Sequence, residues 1–551
     1  MDSQRLILFV VFAFSVFMLL DGWQRDQQAA RAPAVAEKGE KSLPGAGPTP
    51  TPGEKLAAGQ AAVPKEPAGP HEPGKTIRVE TDLVIAQIST SGGDLRHLEL
   101  KQHRDTVDKN KPFVVLDATE HAYTAQAGLT GGKLPSHRTP FQAGAESFRL
   151  EEGQDQLEVR LQAPVVDGIS VSKVYRFRRG SYLVDVSFEV TNRSAESLQP
   201  YAYFQLVRDG KPPGGDSAML PTFTGIGLYT DKEKFQKITF EEVEKGKATY
   251  PKNSNDGWIG ILQHYFFGAW LPKGDVPREF YVHKLDGGLY AAGVIVPAGS
   301  IAPAATGAVS VPLYVGPEEQ QKLAAIAPGL DRVVDYGHLA IIAEPLYWVL
   351  SWLHRWVGNW GVTIIILTII IKLLFYPLSA ASYRSMAKMR VVAPKLQRLK
   401  DQYGNDRQRM QQAMMELYKT EQINPLGGCM PIVVQIPVFI ALYWVLLASV
   451  ELRHAPFVGW INDLATPDPW FVLPILMGAT MIIQTRLNPE PPDPVQAKVM
   501  KIMPLVFSIF FFFFPAGLVL YWLVNNILSI AQQWYITRTL ERAAKGQVRK
   551  R

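Results

Sequence analysis

Cysteine is almost absent. Cys429 stands alone in 551 residues, so no intrachain disulfide can staple a domain, and any extracytoplasmic part must hold together by core packing. The patterns HExxH, GxSxG and GxxxxGK[ST] are missing too, which removes the signals of a zincin, a hydrolase elbow and a P-loop. No catalytic residue, metal site or cofactor is indicated. Aromatic residues are missing between residues 31 and 75, where nine Pro, seven Gly and nine Ala occur. Such a stretch cannot bury enough surface to offset its ordering entropy and reads as a flexible tether. Charge is missing from Ile502 to Thr537, 36 residues, and from Met430 to Val450, 21 residues. Runs of that length are bilayer spans.

What is present is 47% hydrophobic residue and a net charge of +6, distributed unevenly. Leu6 to Leu20 is an apolar block behind Arg5, followed by Asp21, Gly22 and Trp23; the nearest Ala-x-Ala is Ala30 to Ala32. Without a small-residue site close behind it, the block reads as an uncleaved anchor over residues 1–22, with a cleaved signal peptide as the alternative. Residues 23–75 form the tether. Over 76–330 the pattern turns to short alternating strands, among them Asp82 to Ser89, Gln156 to Gln162, Ser170 to Phe177, Ser181 to Val190, Glu279 to Leu285 and Leu289 to Val296. Turn signals such as Arg179-Gly180 and Asp286-Gly287-Gly288 separate them, which predicts an antiparallel β-sandwich. Pro317 to Leu330 reads as a short helix.

Residues 331–360 predict an interfacial amphipathic helix, because Ala343 to Trp360 interleaves four Trp with Glu344, His354 and Arg355. Residues 361–537 predict a five-helix core. Gly361 to Tyr376, Met430 to Val450 and Trp470 to Thr485 supply three spans. As one helix the 36-residue run would be ~54 Å long, far beyond a ~30 Å hydrocarbon core. It must therefore fold back, and Pro515-Ala516-Gly517 marks the place. Arg384 to Glu421 carries nine Lys or Arg against four acids, and the tail 538–551 six against one. Positive charge of that kind predicts the cytosolic side. The fold class is thus an α-helical membrane protein with an all-β domain. With the anchor included, six transmembrane helices put both termini in the cytosol and the β domain outside.

Lys372 is the most informative residue. A cation inside a span costs at least ~2.5 kcal/mol on insertion scales, and no Asp or Glu occurs in the second, third, fifth or sixth span to neutralise it. Its lysine stem can snorkel to the interface, five residues before Pro377; the alternative is a functional buried charge. Its company favours the second. Thr368 lies one turn earlier, Gln435 lies in the third span, and Tyr521, Trp522, Asn525 and Ser529 begin a polar stripe that Gln532 continues at helical spacing on the last span. Such groups are unpaired if they face lipid, so they predict a wet, positively biased groove, with ordinary helix–helix glue as the alternative. Between residues 380 and 422 two amphipathic helices, broken near Tyr403-Gly404-Asn405, carry Met386, Met389, Met410 and Met414 beside cations. Pliable methionine faces suit loose contact with varied apolar peptides, and also plain hairpin packing. The basic tail suits anionic lipid or ribosomal RNA.

Five motifs carry a specific resemblance: Tyr376-Pro377-Leu378, Met386-Ala387-Lys388-Met389-Arg390, Asn424-Pro425-Leu426-Gly427-Gly428-Cys429, Leu473-Pro474-Ile475-Leu476-Met477-Gly478, and Phe514-Pro515-Ala516-Gly517-Leu518-Val519-Leu520-Tyr521-Trp522. Across about residues 340–540 the chain resembles the YidC family of membrane protein insertases, and its anchor, tether and β domain resemble the Gram-negative members. The resemblance implies an inner-membrane protein with a periplasmic β-super-sandwich. Lys372 falls where the family has a conserved basic residue in a groove that opens to cytosol and lipid but not to the periplasm; Thr368 and Trp522 match positions of substrate contact. The implied partners are nascent membrane proteins, the Sec translocon, the ribosome and signal recognition particle pathway, and membrane lipids, with no DNA. A small-solute transporter with a cationic intramembrane site is the principal alternative function, although the chain shows no internal repeat. A membrane-anchored carbohydrate enzyme is a third, which needs a convergent acid pair in the β domain.

Overall fold

The computed structural model of the chain describes residues 74–106, 108–119, 121–211, 213, 222–403, 406–421, 430–488 and 494–548. The expected anchor, the tether as far as residue 73, the break at Gly404-Asn405, the motif from Asn424 to Cys429 and the last three residues lie outside them. Two compact units meet in sequence between Val334 and Asp335.

The first unit is a β-sandwich. Among the described residues, one sheet of ten strands runs in the order Asn253–Ser254, Arg278–Lys284, Leu289–Pro297, Tyr201–Asp209, Tyr123–Thr130, Leu95–Arg104, Val84–Ser89, Thr76–Glu80 and Ser147–Arg149, with Pro112–Leu116 paired to Leu95–Arg104 off that path. The other, of nine, runs Lys234–Ile238, Gly225–Thr230, Trp258–Gln263, Phe266–Trp270, Thr306–Pro317, Leu183–Asn192, Ile169–Arg178, Gln156–Gln162 and Gln142–Ala143. Every strand read from alternation is present, within two residues of its expected ends. Strands that alternation did not reveal, such as Trp258–Gln263 and Phe266–Trp270, are buried on both faces and so read as continuous apolar runs. The core closes between the sheets, where the Phe204 ring lies 6.1 Å from Phe188 and 5.0 Å from Trp270. A lysine is buried there as well. Lys173 Nζ donates to the carbonyls of Gly92 and Ala127, both at 3.0 Å, and to Asp94 Oδ1 at 3.4 Å, filling all three donors and tying one sheet to the other. The short helix after the sandwich is Gln320–Ile326, shorter than expected, followed by a 3₁₀ turn at Leu330–Val333.

The second unit is helical: α1 Ala340–Val357, α2 Trp360–Leu374, α3 Tyr376–Tyr403, α4 Arg407–Thr420, α5 Met430–Ala448, α6 Val472–Leu487, α7 Pro494–Phe510 and α8 Ala516–Val548. Local chemistry sets the joints. Gly358, at φ +70°, ends α1 in the left-handed region. Asn359 then caps α2, its Oδ1 accepting from Val362 N at 3.0 Å. The expected span Gly361 to Tyr376 stops two residues early at Leu374, because Pro377 lacks the N–H that a continuing helix would bond; α2 and α3 as far as Met389 bend by 67°. No single described helix is both long and apolar enough to cross a membrane, although α2 with the start of α3 qualifies as a bent pair, and Gln435–Ala448 and α6 are shorter apolar helices.

The uncharged run folds back as its length requires. A 3₁₀ turn at Phe511–Phe513 follows α7, and α8 begins at Ala516. The segment between α5 and α6 receives that turn: Ala516 N donates to Thr466 O at 2.8 Å and Gly517 N to Leu464 O at 2.9 Å. Two first-turn donors of α8 that have no partner inside the helix are thus satisfied from outside it.

Candidate functional site

The polar residues singled out in the spans converge where α2 gives way to α3, beside the middle of α8. Lys372, in the last turn of α2, is buried, with 9% of its surface exposed. Its ammonium donates to Ser529 Oγ at 2.8 Å. No carboxylate among the described residues pairs with it, so the other two N–H donors of the ammonium meet no charged acceptor there. Burial against α8 is the opposite of snorkelling, which lifts the head group into solvent.

Around this pair the α8 stripe engages its neighbours. Ser529 Oγ donates to Asn525 O at 2.7 Å, and Asn525 Oδ1 accepts from Gln435 Nε2 of α5 at 2.8 Å. Tyr521 is buried; Trp522 meets the Phe439 ring edge-on at 4.2 Å. Gln532 Nε2 reaches Tyr376 O at 3.5 Å. Lys372, Ser529, Asn525 and Gln435 therefore form one chain of contacts across α2, α8 and α5. Thr368 stands apart: buried, it gives its hydroxyl proton to Ile364 O of its own helix at 2.7 Å.

Tyr383 was not singled out from the sequence. It sits near the start of α3 and is half-buried. Ser379 and Ser382, on the same turns, are buried. The available signal was a stripe, Tyr376, Ser379 and Tyr383, at i, i+3 and i+7, that carries the polar face of the spans past Pro377.

At the other end of α2 the helix is covered. Asn359 Nδ2 donates to Phe457 O at 3.1 Å, and the Phe457 ring lies against Gly361, where a Cβ would come within 2.1 Å of it. Asp463 organises this cover, accepting from the backbone N–H of His454 at 3.0 Å and of Ala465 at 2.9 Å. Asp468 accepts from Trp460 Nε1 at 2.9 Å and from Leu473 N at 2.8 Å, which fixes the start of α6. Neither aspartate was singled out from the sequence, because each takes its meaning from backbone donors that only the folded loop brings together.

The methionines of the hairpin, Met386 and Met389 on α3 and Met410 and Met414 on α4, are half-buried, while Met415 is exposed. Lys395 Nζ of α3 bonds Glu421 Oε1, just past α4, at 2.5 Å. On α1, Ile341, Trp348, Trp352 and Trp356 are exposed along one face.

The family model described as YidC periplasmic domain matches residues 76–349, and that described as 60Kd inner membrane protein matches residues 352–543. A protein of Nitrosospira multiformis named "Membrane protein insertase YidC" is 56% identical over 559 residues, covering 99% of this chain and 98% of the relative. Proteins of the same name from Aromatoleum aromaticum and Methylobacillus flagellatus are 56% and 55% identical, with coverage of 99% of each chain and 100% of each chain respectively. Among solved structures, an active YidC insertase with its first transmembrane domain resolved is similar at 18% identity and a TM-score of 0.39, covering 84% of this chain and 95% of that one.

Proposed function

The chain belongs to the YidC family of membrane protein insertases, and from that premise we propose how its own residues move a client into the bilayer. It is an insertase and not an enzyme, an inner-membrane protein with a periplasmic β-sandwich, and its clients are nascent membrane proteins. The hydrophobic segment of a client docks along the spans while its short polar flank enters the groove bounded by Lys372, Ser529, Asn525 and Gln435, with Tyr521 and Trp522 completing its wall and Thr368 packed behind it within α2. Lys372 attracts an acidic flank. The groove shortens the apolar distance the flank must cross, and partition of the hydrophobic segment into lipid, at ~25 cal/mol per Å² of apolar surface, drives the transfer.

The observation that carries this reading is the buried ammonium with one hydroxyl partner and, among the described residues, no carboxylate. A permanently buried cation is retained at a cost, and a transient acidic partner gives that cost a use. In this reading six spans, counting the anchor 1–22, leave both termini and the α3–α4 hairpin in the cytosol and the segment between α5 and α6 outside, where it covers the groove. The exposed tryptophans of α1 suit the lipid interface. Met386, Met389, Met410 and Met414 receive the client first, and the basic tail approaches the ribosome; the Sec translocon and the signal recognition particle pathway are the further partners.

The test is reconstitution in liposomes with a short single-span client bearing an acidic flank. Insertion falls in Lys372→Ala and falls further in Lys372→Glu, where repulsion replaces attraction. Wild-type insertion by Lys372→Glu would demote the charge to packing.

A further inference from the structure

Two amides join α5 to α8. Gln435 Nε2 donates to Asn525 Oδ1 at 2.8 Å, and both side chains are half-buried. Each amide carries a carbonyl oxygen and an NH2 group, so a single bond between them leaves much of the pair unused. Gln435 Oε1 and Asn525 Nδ2 meet no partner among the described residues, and neither atom is sealed in the interior. Rotation of both amides would reverse the bond and leave the same complement open, one acceptor and one donor in the same pair. One turn on, toward the start of α8, Phe439 meets Trp522 edge-on at 4.2 Å, and Trp522 lies 5.1 Å from the Phe511 ring. The open amide groups therefore sit where the polar chain from Lys372 runs up against aromatic rings.

We propose that Gln435 and Asn525 bind the backbone of a client's polar flank, Gln435 Oε1 accepting from a peptide N–H and Asn525 Nδ2 donating to a peptide C=O. The inference rests on the groove reading above and names a second chemical group that the groove takes. Flanks differ in their side chains, but every one of them carries a donor and an acceptor on each residue other than proline. Away from bulk water each such group costs free energy if it stays unpaired. An extended residue turns its N–H and its C=O to the same side, as the exchanged bonds of an antiparallel ladder require, and an open acceptor and donor within one side-chain pair match that arrangement. The two readers divide the flank between them. Lys372 attracts an acidic side chain, as a point charge without a fork, whereas the amides are neutral and indifferent to sequence, so a flank with no acid still has a partner in the groove.

The experiment uses the full chain in proteoliposomes and synthetic single-span peptides with an uncharged flank, in which one flank amide at a time is replaced by an ester. The measured quantity is the ratio of ester to amide insertion rates at each position. An ester lacks the N–H and leaves water at a lower cost, so without a backbone reader it inserts as fast as the amide or faster. With the wild-type chain the ester at one or two positions slows insertion about fivefold, the worth of one ordinary hydrogen bond. In the double variant Gln435→Met/Asn525→Leu, which keeps the side-chain lengths, that penalty disappears. Ester flanks that insert at least as fast as amide flanks at every position in wild type overturn the proposal and leave the amides as helix glue; this arm needs no variant to fold. A penalty undiminished in the double variant overturns it as well, by placing the reader elsewhere. An Asp-Asp flank separates the two readings. If Lys372→Ala slows its insertion while wild type shows no ester penalty, this inference alone fails; if neither effect is seen, the groove reading fails with it.

Discussion

At the scale of single residues, two buried lysines among the described residues stand in opposite settings. Lys173 has three acceptors, one of them the carboxylate of Asp94; Lys372 has one hydroxyl. The first is a finished structural pin and the second an unfinished site. Burial pushes the Asp94 carboxyl up to about 6, against the opposing pull of the Lys173 ammonium. Between that value and the ordinary carboxylate range of about 4 the folded state binds a proton that the unfolded state does not. The contribution of Asp94 to stability therefore rises as pH falls through this window. Lys173→Met removes the partner and strands the carboxylate, at a cost of about 3–5 kcal/mol near neutral pH. It also moves the pH dependence upward, because the opposing pull is gone. Thermal unfolding of the β-sandwich followed between mildly acidic and mildly basic pH checks both effects, and an unshifted pH profile in Lys173→Met would refute the coupling.

At the scale of elements, two glycines decide how closely the helical unit packs. A Cβ on Gly361 would lie 2.1 Å from the Phe457 ring, and one on Gly478 would lie 2.4 Å from Ser508 Oγ and 2.9 Å from Ser508 Cβ. The second contact is the milder, since the hydroxyl can rotate away and its Cβ needs to give only slightly, whereas an aromatic ring wedged against backbone cannot turn aside. Gly361→Ala is therefore expected to lift the Phe457 segment off α2, and Gly478→Ala to leave that segment in place. Cysteine-accessibility labelling at Ala455, which is buried, with exposed Val458 as the reference, reads the difference while keeping the Phe457 ring: labelling at 455 rises in the first variant only. The joints of this unit were legible from the sequence for physical reasons. An uncharged run of 36 residues is too long for one crossing, and Pro377 and Gly358 do not favour continuing a helix. The stripe's spacing brought Ser529 and Lys372 to one expected groove, but neither the specific bond between them, 157 positions apart, nor the meeting of Phe457 with Gly361 was legible, because those contacts depend on how helices pack and not on any local period. The strands divide in the same way. Half-buried strands alternate and could be read; Trp258–Gln263, buried on both faces, could not.

At the scale of the whole molecule, two units that meet in sequence at Val334 and Asp335 answer to different solvents. The sandwich is stabilised by withdrawing apolar surface from water, and its core residues, Phe188, Phe204 and Trp270 among them, are almost wholly buried. The helical unit exposes Leu373, Leu374, Ile475, Leu505 and Ile509, surface that water would penalise and hydrocarbon would not. Its stability must then depend on the match between helix length and bilayer thickness, to which the sandwich is indifferent. Calorimetry of the full chain in bilayers of short-chain and long-chain lipid should show two transitions, of which only one moves with lipid length. Lys173→Met should lower the other and leave the lipid-dependent one in place. A single transition that shifts as a whole with lipid length would mean that the sandwich does not fold as a separate cooperative unit, and that the two lysines answer to one stability after all.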